Sequence, residues 1–196
     1  MRIGVLALQG DFEAHCKAVE RAGAEACEVR TASQLDGIDG LIIPGGESST
    51  MLNLLCREGL LEPLIDFGRR KPIFGTCAGA ILLARQVLSP SQESLGLMDL
   101  TVERNAYGRQ IDSRIERLAA EPGAALEGDI EAVFIRAPVI RHAGPGVRVL
   151  IRYEGDPVLA EQGRHMAATF HPELTGDTRI HRRFIQKVEA AAAEGN

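Results

Sequence analysis

The amino-acid sequence predicts an α/β fold in which a mostly parallel sheet carries helices on both faces and continues into an antiparallel extension. Short apolar runs alternate with helical patterns through the first half of the chain, as in right-handed strand–helix–strand units. Strand patterns then dominate from about residue 89 until one long helical pattern near the C-terminus. Because no repeat, linker or low-complexity stretch interrupts the 196 residues, we expect one domain spanning residues 1–196.

The composition is that of an ordinary globular protein and argues against several function classes. Hydrophobic residues make up 45% and charged residues 25% of the chain, and the formal net charge is -5, so we expect no nucleic-acid partner. The apolar run at residues 3–8 is too short for a signal peptide, and no stretch reaches the roughly 20 apolar residues of a membrane span. We therefore expect a cytoplasmic protein without a membrane partner.

The first half is predicted to alternate strands and helices. The near-continuous apolar run at residues 2–8 is typical of a parallel strand covered on both faces. Asp11 can cap a helix over residues 11–22, which Gly23 ends in the usual C-terminal position. Further strands are predicted over residues 25–30, 39–43 and 72–74, and further helices over residues 51–57 and 61–67.

Residues 71–84 are predicted to form a strand, a sharp turn and a helix, with Cys77 at the turn. Gly75 and Gly79 stand two residues either side of Cys77, where a side chain would clash with neighbouring backbone in such a strained turn. Free N–H groups at the start of the helix favour the thiolate of Cys77, and the N–H of Ala78 would face an oxyanion formed on an attacked carbonyl. A buried cysteine between two packing glycines is the alternative.

The second half is predicted to be rich in strands and to end in a helix over residues 177–193. We interpret these strands as an antiparallel extension of the same sheet, closed by the C-terminal helix. They are predicted over residues 97–104, 110–117, 130–135, 147–153, 157–161 and 165–170.

A glycine-rich loop at residues 44–48 is expected close to the elbow, because functional groups gather at the carboxyl ends of strands in an open parallel sheet. Paired glycines let backbone approach a ligand, and their N–H groups could supply a second oxyanion donor. The alternative is a plain Gly-Gly turn before a helix that Ser48 or Ser49 caps.

His171 and Glu173 follow a third strand and have the chemistry to complete a nucleophilic site. The imidazole of His171 could accept a proton from Cys77 and return it to a leaving amine. Glu173 could hold that imidazole in one tautomer and stabilise the imidazolium. The order Cys…His-x-Glu on an α/β chain with an elbow therefore indicates acyl transfer.

The remaining histidines and cysteines are expected to have no catalytic role, and no metal site is predicted because no Cys/His pair has ligand spacing. Four histidines lack an acidic neighbour of this kind and are expected at the surface or in local hydrogen bonds: His15, His142, His165 and His181. Three cysteines are expected to be small core residues: Cys16, Cys27 and Cys56.

Three motifs together resemble the class I (triad) glutamine amidotransferases. They are Pro-Gly-Gly-Glu-Ser at residues 44–48, Phe-Gly-Thr-Cys-Ala-Gly at 74–79 and Phe-His-Pro-Glu at 170–173. Leu-Gln-Gly at 8–10, Arg-Asn-Ala-Tyr-Gly-Arg-Gln at 104–110 and Phe-Ile-Arg-Ala-Pro at 134–138 are similar to the family of glutaminase subunits of pyridoxal 5′-phosphate synthase. This resemblance runs from about residue 2 to the C-terminal helix, and it implies the flavodoxin-like class I glutamine amidotransferase fold.

The resemblance also implies that L-glutamine is the substrate and that L-glutamate and ammonia are the products. Cys77, His171 and Glu173 would be the catalytic residues, and the backbone N–H groups of Gly46 and Ala78 would form the oxyanion hole.

The resemblance further implies glutamine contacts and a protein partner. Arg104 would pair with the α-carboxylate of glutamine, although without the resemblance it would be interpreted as an exposed cation at a strand end. The other glutamine contacts would be Gly46, Glu47, Ser48, Ile135 and Arg136. The partner would be the lyase subunit of the synthase (PdxS), with Gln9 and Gly10 as coupling residues. No cofactor is predicted, since the chain has no Walker loop and no dinucleotide fingerprint.

Three alternatives remain open from the residues alone. The same scaffold could carry another acyl hydrolase, such as a γ-glutamyl hydrolase, which turnover of γ-glutamyl peptides would reveal. The chain could be the glutaminase subunit of another pathway, against which residues 104–110 argue. It could also be a non-catalytic regulatory or scaffold subunit, which would have no need of an intact Cys/His/Glu set.

Overall fold

The computed structural model describes residues 1–104 and 113–194. Residues 105–110 of the motif at 104–110, and the start of the strand predicted at 110–117, lie outside these residues. The described strands are β1 (Arg2–Leu6), β2 (Glu25–Val29), β3 (Gly40–Ile43), β4 (Ile73–Thr76), β5 (Ala84–Leu88), β6 (Met98–Glu103), β7 (Ser113–Leu118), β8 (Ile130–Ile135), β9 (Val139–Ala143), β10 (Arg148–Tyr153), β11 (Asp156–Gln162) and β12 (His165–Ala168). The α-helices are α1 (Phe12–Ala22), α2 (Ser48–Arg57), α3 (Leu61–Arg70), α4 (Ala78–Leu83) and α5 (Arg179–Glu194).

Seven of the described strands form the central sheet, in the order β10-β11-β12-β4-β3-β1-β2. Five neighbouring strands of this sheet are parallel to one another: β12, β4, β3, β1 and β2. Their order is that of flavodoxin-like sheets. Strands β11 and β10 then continue the sheet with antiparallel pairing. This arrangement confirms the predicted mostly parallel sheet with an antiparallel extension.

The antiparallel extension is smaller than the sequence predicted. Among the described strands, β10 and β11 alone extend the sheet beyond β12, whereas β5, β6 and β9 form a three-stranded sheet and β7 and β8 form a two-stranded one. The reason is visible in burial: β3, β4 and β12 are buried along their whole length, while β6 and β8 alternate between buried and half-buried residues. Such alternation indicates strands covered on one face, outside the two-sided central sheet. Strands β5 and β9 were not predicted.

Helices cover both faces of the central sheet. Successive residues of its strands enter opposite apolar clusters, as on β3, where Leu41 and Ile43 join one cluster and Ile42 joins the other. Helices α2, α3 and α4 complete the first cluster, and α1 and α5 complete the second. Gly23 ends α1 in the left-handed conformation, as predicted. Among the described helices, none has both the length and the apolar character needed to cross a membrane.

The carboxyl ends of four neighbouring strands define one edge of the sheet, where the chain places its candidate functional residues. Strands β12, β4, β3 and β1 are adjacent and parallel, so the segments that leave them emerge side by side. The segments after β4 and β12 carry Cys77 and His171, and those after β3 and β1 carry the loops at residues 44–47 and 9–11.

Candidate active site

Cys77 stands at a strained elbow between β4 and α4. Its backbone has φ 49 and ψ -104, a conformation that a residue with a side chain rarely adopts and that is typical of functional turns. The N–H of Cys77 donates to the carbonyl oxygen of Ala168 at 2.8 Å, which ties the elbow to the end of β12. Cys77 is buried, with 6% of its surface exposed.

The two glycines that flank the elbow are required by close backbone contacts. A Cβ on Gly75 would overlap the carbonyl of Gly79, and a Cβ on Gly79 would overlap the carbonyl oxygen of Ile43. The turn therefore packs backbone against backbone at both glycines, as the spacing in the sequence predicted.

His171 and Glu173 lie beside Cys77 in a buried line. The Nδ1 atom of His171 lies 2.7 Å from Oε1 of Glu173, and Cys77 is near enough to His171 to raise the pKa of its imidazole. Both His171 and Glu173 are at least 95% buried. Since Nδ1 is engaged by the carboxylate, Nε2 is the ring nitrogen left to exchange a proton with Cys77.

The protonation of His171 follows from its two partners. Burial acts to lower the pKa of His171, but the hydrogen bonds to Cys77 and Glu173 outweigh it and raise the pKa to about 10. The site therefore favours the imidazolium form of His171 at neutral pH, which is a form that can give a proton to a leaving group.

The Gly45–Gly46 loop lies directly over Cys77. A Cβ on Gly45 would overlap Cε1 of His171 and would lie 3.3 Å from the Cβ of Cys77. Gly46 has φ +151 and packs against the side chain of Gln9. A Cβ on Gly10 would run into the carbonyl oxygen of Gly45, and Gly10 itself has φ +87. The loop after β1 therefore fixes where the glycine-rich loop can lie.

Glu47 and Arg104 form an ion pair at the mouth of the site. Nη2 of Arg104 donates to Oε1 of Glu47 at 2.9 Å, and the Arg104 side chain is only 11% exposed. Arg104 is therefore not the exposed cation that the alternative interpretation expected at a strand end. Glu47, not Ser48 or Ser49, caps α2, since its Oε2 accepts from the N–H of Thr50 at 2.6 Å. Burial acts to raise the pKa of Glu47, but hydrogen bonds from Ser49 and Thr50 outweigh it and lower the pKa to about 2.

The other residues predicted to contact substrate surround the same opening. The hydroxyl of Ser48 donates to Oε1 of Gln92 at 3.1 Å. The Ile135 carbonyl oxygen lies 4.0 Å from Sγ of Cys77, and Arg136 is exposed with φ 46. Ala78 opens α4, where backbone N–H groups have no partner inside the helix.

These residues enclose one pocket of about 240 Å³. The pocket brings together Cys77, His171 and every predicted glutamine-contact residue. Its lining is Gly10, Asp11, Gly45, Gly46, Glu47, Ser48, Cys77, Ile81, Arg104, Ile135, Arg136, Pro138 and His171.

Three of the histidines set aside from the sequence are buried, so the surface expectation is wrong for them. His15 and His181 are fully buried and His165 is 7% exposed, whereas His142 is exposed. The hydrogen bonds of His15 are also not local, since they reach Thr76 and His181 on distant elements. Helical spacing could have revealed His15, because it lies three residues after Phe12 and four before Val19 on the apolar face of α1.

The cysteines outside the elbow are less buried than predicted. Cys56 is exposed, because it lies one residue, about 100° of helix rotation, beyond the buried Leu55 on α2. Cys16 and Cys27 are half-buried, and burial raises the pKa of Cys16 to about 11 and also raises that of Cys27. The thiol forms of Cys16 and Cys27 are therefore favoured at neutral pH, and neither is a good nucleophile.

One group of potential metal ligands occurs among the described residues. Donor atoms of Asp11, His171 and Glu173 lie within 4.8 Å of one another. The His171 and Glu173 atoms already contact each other, at 2.7 Å, which is a hydrogen-bond distance.

Comparison with known proteins gives a consistent result along nearly the whole chain. A model described as "SNO glutamine amidotransferase family" matches residues 5–190. A pyridoxal 5′-phosphate synthase subunit PdxT of Solibacter usitatus is 58% identical over 190 residues, which cover 95% of this chain and 99% of that relative. A PdxT subunit of Koribacter versatilis is 56% identical, with 96% of each chain covered. A crystal structure of a glutamine amidotransferase, 46% identical, superposes with a TM-score of 0.88 and covers 95% of this chain and 98% of its own.

Proposed function

Because the chain belongs to the SNO glutamine amidotransferase family, as its motifs indicated, we propose that it is the glutaminase subunit of a pyridoxal 5′-phosphate synthase. It hydrolyses L-glutamine to L-glutamate and ammonia. The observation that carries this proposal is the buried line of Cys77, His171 and Glu173 at the base of a pocket that Arg104 also lines. We treat residues 1–196 as one glutaminase domain.

In the first half-reaction, the thiolate of Cys77 attacks the carbonyl carbon of the glutamine side-chain amide. The tetrahedral oxyanion is held by the N–H groups of Gly46 and Ala78, each of which is worth about 3–4 kcal/mol of barrier in comparable sites. The imidazolium of His171 gives its Nε2 proton to the amide nitrogen, the carbon–nitrogen bond breaks, and ammonia leaves a γ-glutamyl thioester on Cys77.

In the second half-reaction, neutral His171 takes a proton from a water molecule. The resulting hydroxide attacks the thioester, and the same oxyanion donors stabilise the second tetrahedral intermediate. The carbon–sulfur bond then breaks, which releases L-glutamate and restores the thiolate of Cys77. Glu173 keeps Nδ1 of His171 protonated through both steps, so that Nε2 alone exchanges the proton.

The α-carboxylate of glutamine binds Arg104. The guanidinium of Arg104 already lines the pocket and is oriented by the carboxylate of Glu47. Because a guanidinium has several N–H donors, it can bind the α-carboxylate of glutamine in addition to Glu47. Glu47, Ser48, Ile135 and Arg136 complete the substrate contacts. The ion pair with Glu47 pre-orients Arg104, which reduces the ordering that substrate must impose.

The ammonia passes to a partner protein, the lyase subunit of the synthase (PdxS). Ammonia released to bulk water at neutral pH would be protonated and lost as a nucleophile, so the acceptor site must receive it directly. Gln9 and Gly10 couple the partner to catalysis, since both contact the Gly45–Gly46 loop that carries one oxyanion donor. The buried Oε1 of Gln9 has no hydrogen-bond partner among the described residues, so docking that moves this loop can give it one.

The protein acts in the cytoplasm. Its four cysteines are free thiols, which persist in reducing compartments.

The experiment that tests this function is glutamate release from L-glutamine, with γ-glutamyl peptides and L-asparagine as competing substrates, with and without the partner lyase subunit. We expect glutamine to be the preferred substrate and kcat/KM to rise when the partner is present, with a smaller rise for Gln9→Ala. Preferred turnover of γ-glutamyl peptides would instead identify a γ-glutamyl hydrolase. Equal kcat/KM with and without the partner would refute the coupling through Gln9.

A further inference from the structure

A cluster of four buried polar side chains lies behind Glu173, on the side away from His171. It consists of His15 on α1, Thr76 at the end of β4, Glu173 and His181 on α5, and we refer to it as the buried histidine cluster. Nε2 of His15 lies 3.0 Å from Oγ1 of Thr76 and 3.3 Å from Oε2 of Glu173. Nδ1 of His15 lies 3.1 Å from Nε2 of His181. All four residues are at least 96% buried.

The outer oxygen of Glu173 depends on this cluster. While Oε1 contacts His171, Oε2 is buried and has no partner with full hydrogen-bond geometry among residues 1–104 and 113–194. Nε2 of His15 lies within ion-pair distance of this oxygen, but the contact does not have hydrogen-bond geometry. A buried carboxylate oxygen without a donor is costly, so the N–H nearest to it has a large effect on where the carboxylate points.

Both histidines of the cluster are neutral at neutral pH. Burial lowers the pKa of His15 well below its usual value, and the imidazoles of His181 and His171 lower it further. Burial also lowers the pKa of His181 to about 4. The charge of Arg21 on α1 lowers this pKa as well, whereas the charge of Asp177 acts to raise it. Each ring therefore carries one N–H, and the position of that hydrogen decides what Glu173 meets.

The contacts select one pair of tautomers. If Nδ1 of His15 carried the hydrogen, its Nε2 lone pair would face the Glu173 carboxylate, and Nδ1 of His181 would be a buried N–H without a partner. If Nε2 of His15 carries the hydrogen instead, it points between Thr76 and Glu173, while Nε2–H of His181 donates to Nδ1 of His15. The second arrangement leaves Nδ1 of His181 as an unpaired acceptor, which is tolerated better than a buried unpaired donor.

We propose that His15 is a positioning residue that acts through Glu173. Its Nε2–H holds the outer carboxylate oxygen, so that the inner oxygen stays directed at Nδ1 of His171, and His181 fixes the tautomer of His15 that makes this possible. The proposal rests on the proposed glutaminase activity for its kinetic part only.

Two consequences separate this role from simple packing. His15, Thr76 and His181 do not line the pocket, so their loss should lower kcat and leave KM for glutamine unchanged. A carboxylate that turns away from His171 also stabilises the imidazolium less, so His171 should lose its proton at lower pH. The other acidic group facing His171 is Asp11, which is unchanged in every variant below.

The test compares three substitutions that differ in where they place a donor. His15→Gln puts an amide N–H near the position of Nε2, His15→Asn puts one near the position of Nδ1, and His15→Leu supplies none. We expect kcat to fall roughly ten- to a hundredfold in His15→Leu, the effect of leaving the buried Glu173 oxygen without its nearest donor. His15→Gln should recover most of that loss, and His15→Asn should not. His165→Gln, a change at a buried histidine outside the cluster, is the control and should keep kcat.

A second measurement is independent of glutamine turnover. The pH titration of the His171 ring, followed by NMR in the folded protein, should move to lower pH in His15→Leu and stay near the wild-type midpoint in His15→Gln. An unchanged titration in His15→Leu would overturn the proposal even if kcat falls, because it would show a packing role. Equal kcat for His15→Gln and His15→Asn would also overturn it, and this pair still decides if His15→Leu does not fold. Failure of glutamine turnover in the wild type would refute the proposed function, while the titration would still test His15.

Discussion

The contact between Gly10 and Gly45 leads to a prediction about the glycine-rich loop that can be tested with a matched control. Gly10 has φ +87, and a Cβ there would run into the carbonyl oxygen of Gly45. Gly23 has φ +99, and a Cβ there would meet nothing within 4 Å. Alanine would have an unfavourable positive φ at either position, but only at Gly10 would its Cβ force the glycine-rich loop to move.

The two effects can be estimated separately. A residue with a side chain in the left-handed region costs roughly 1–2 kcal/mol, which lowers Tm by roughly 2–8 °C in a chain of this size. Gly10→Ala and Gly23→Ala should share this loss. Gly10→Ala should in addition lower kcat by roughly 10²–10³, the cost of losing one oxyanion donor, because a displaced Gly45–Gly46 peptide would misplace the N–H that we propose as this donor.

The assay is steady-state glutamate release by the isolated subunit and by the complex at saturating partner, so that weaker docking cannot imitate a loss of catalysis. We expect Gly23→Ala to keep the wild-type kcat at a lower Tm. If Gly10→Ala also keeps the wild-type kcat in both preparations, the loop after β1 does not set the oxyanion loop, and the reasoning is refuted.

Further predictions concern substrate binding, the triad and stability. Arg104→Ala should raise KM for glutamine roughly ten- to a hundredfold, the value of about 1.5–3 kcal/mol for a charge-assisted contact, and an unchanged KM would remove Arg104 from the substrate contacts. His171→Asn should lower turnover by orders of magnitude and Glu173→Gln by less, because the second change disturbs orientation and not proton transfer itself; near-normal turnover in His171→Asn would place the base elsewhere. The free energy of unfolding should fall as pH drops from about 6.5 to about 4. In this range a histidine of the unfolded chain binds a proton, whereas His165 and His181 in the folded protein stay neutral, because their pKa values are lowered to about 4. Denaturant unfolding from pH 6.5 to 4 measures this loss below the range in which the raised pKa of His171 acts in the opposite direction, and a flat profile would contradict the burial of neutral histidines.

The parallel half of the fold could be predicted because four of its five strands, all but the edge strand β2, are buried on both faces. A short apolar run such as residues 2–8, followed by a helical pattern, favours a parallel strand covered on both faces. Gly75 and Gly79 marked the elbow, because the backbone contacts at both positions allow only glycine. The second half was predicted less well. Alternating burial in β6 and β8 does not specify which strand each one pairs with, so the two smaller sheets could not be told from an extension of the main one.

The candidate site was predictable where each residue sits at a strand end, and less so where contacts cross the fold. Cys77 and His171 follow neighbouring strands, so the topology alone brings them together. The ion pair between Glu47 and Arg104 joins residues 57 positions apart, and His15 meets His181 across 166 positions. Such pairings depend on how helices pack on the sheet, which the sequence pattern does not fix.

The most direct test of the account is the turnover number for glutamate release by Cys77→Ala in complex with the partner subunit. The substitution removes one sulfur atom from a buried elbow whose backbone is held by Gly75, Gly79 and Ala168, so the fold and the complex should persist. Loss of a covalent nucleophile should lower kcat by at least about a thousandfold. A folded, partner-bound Cys77→Ala protein that still releases glutamate at a rate near wild type would contradict the assignment of Cys77 as the nucleophile.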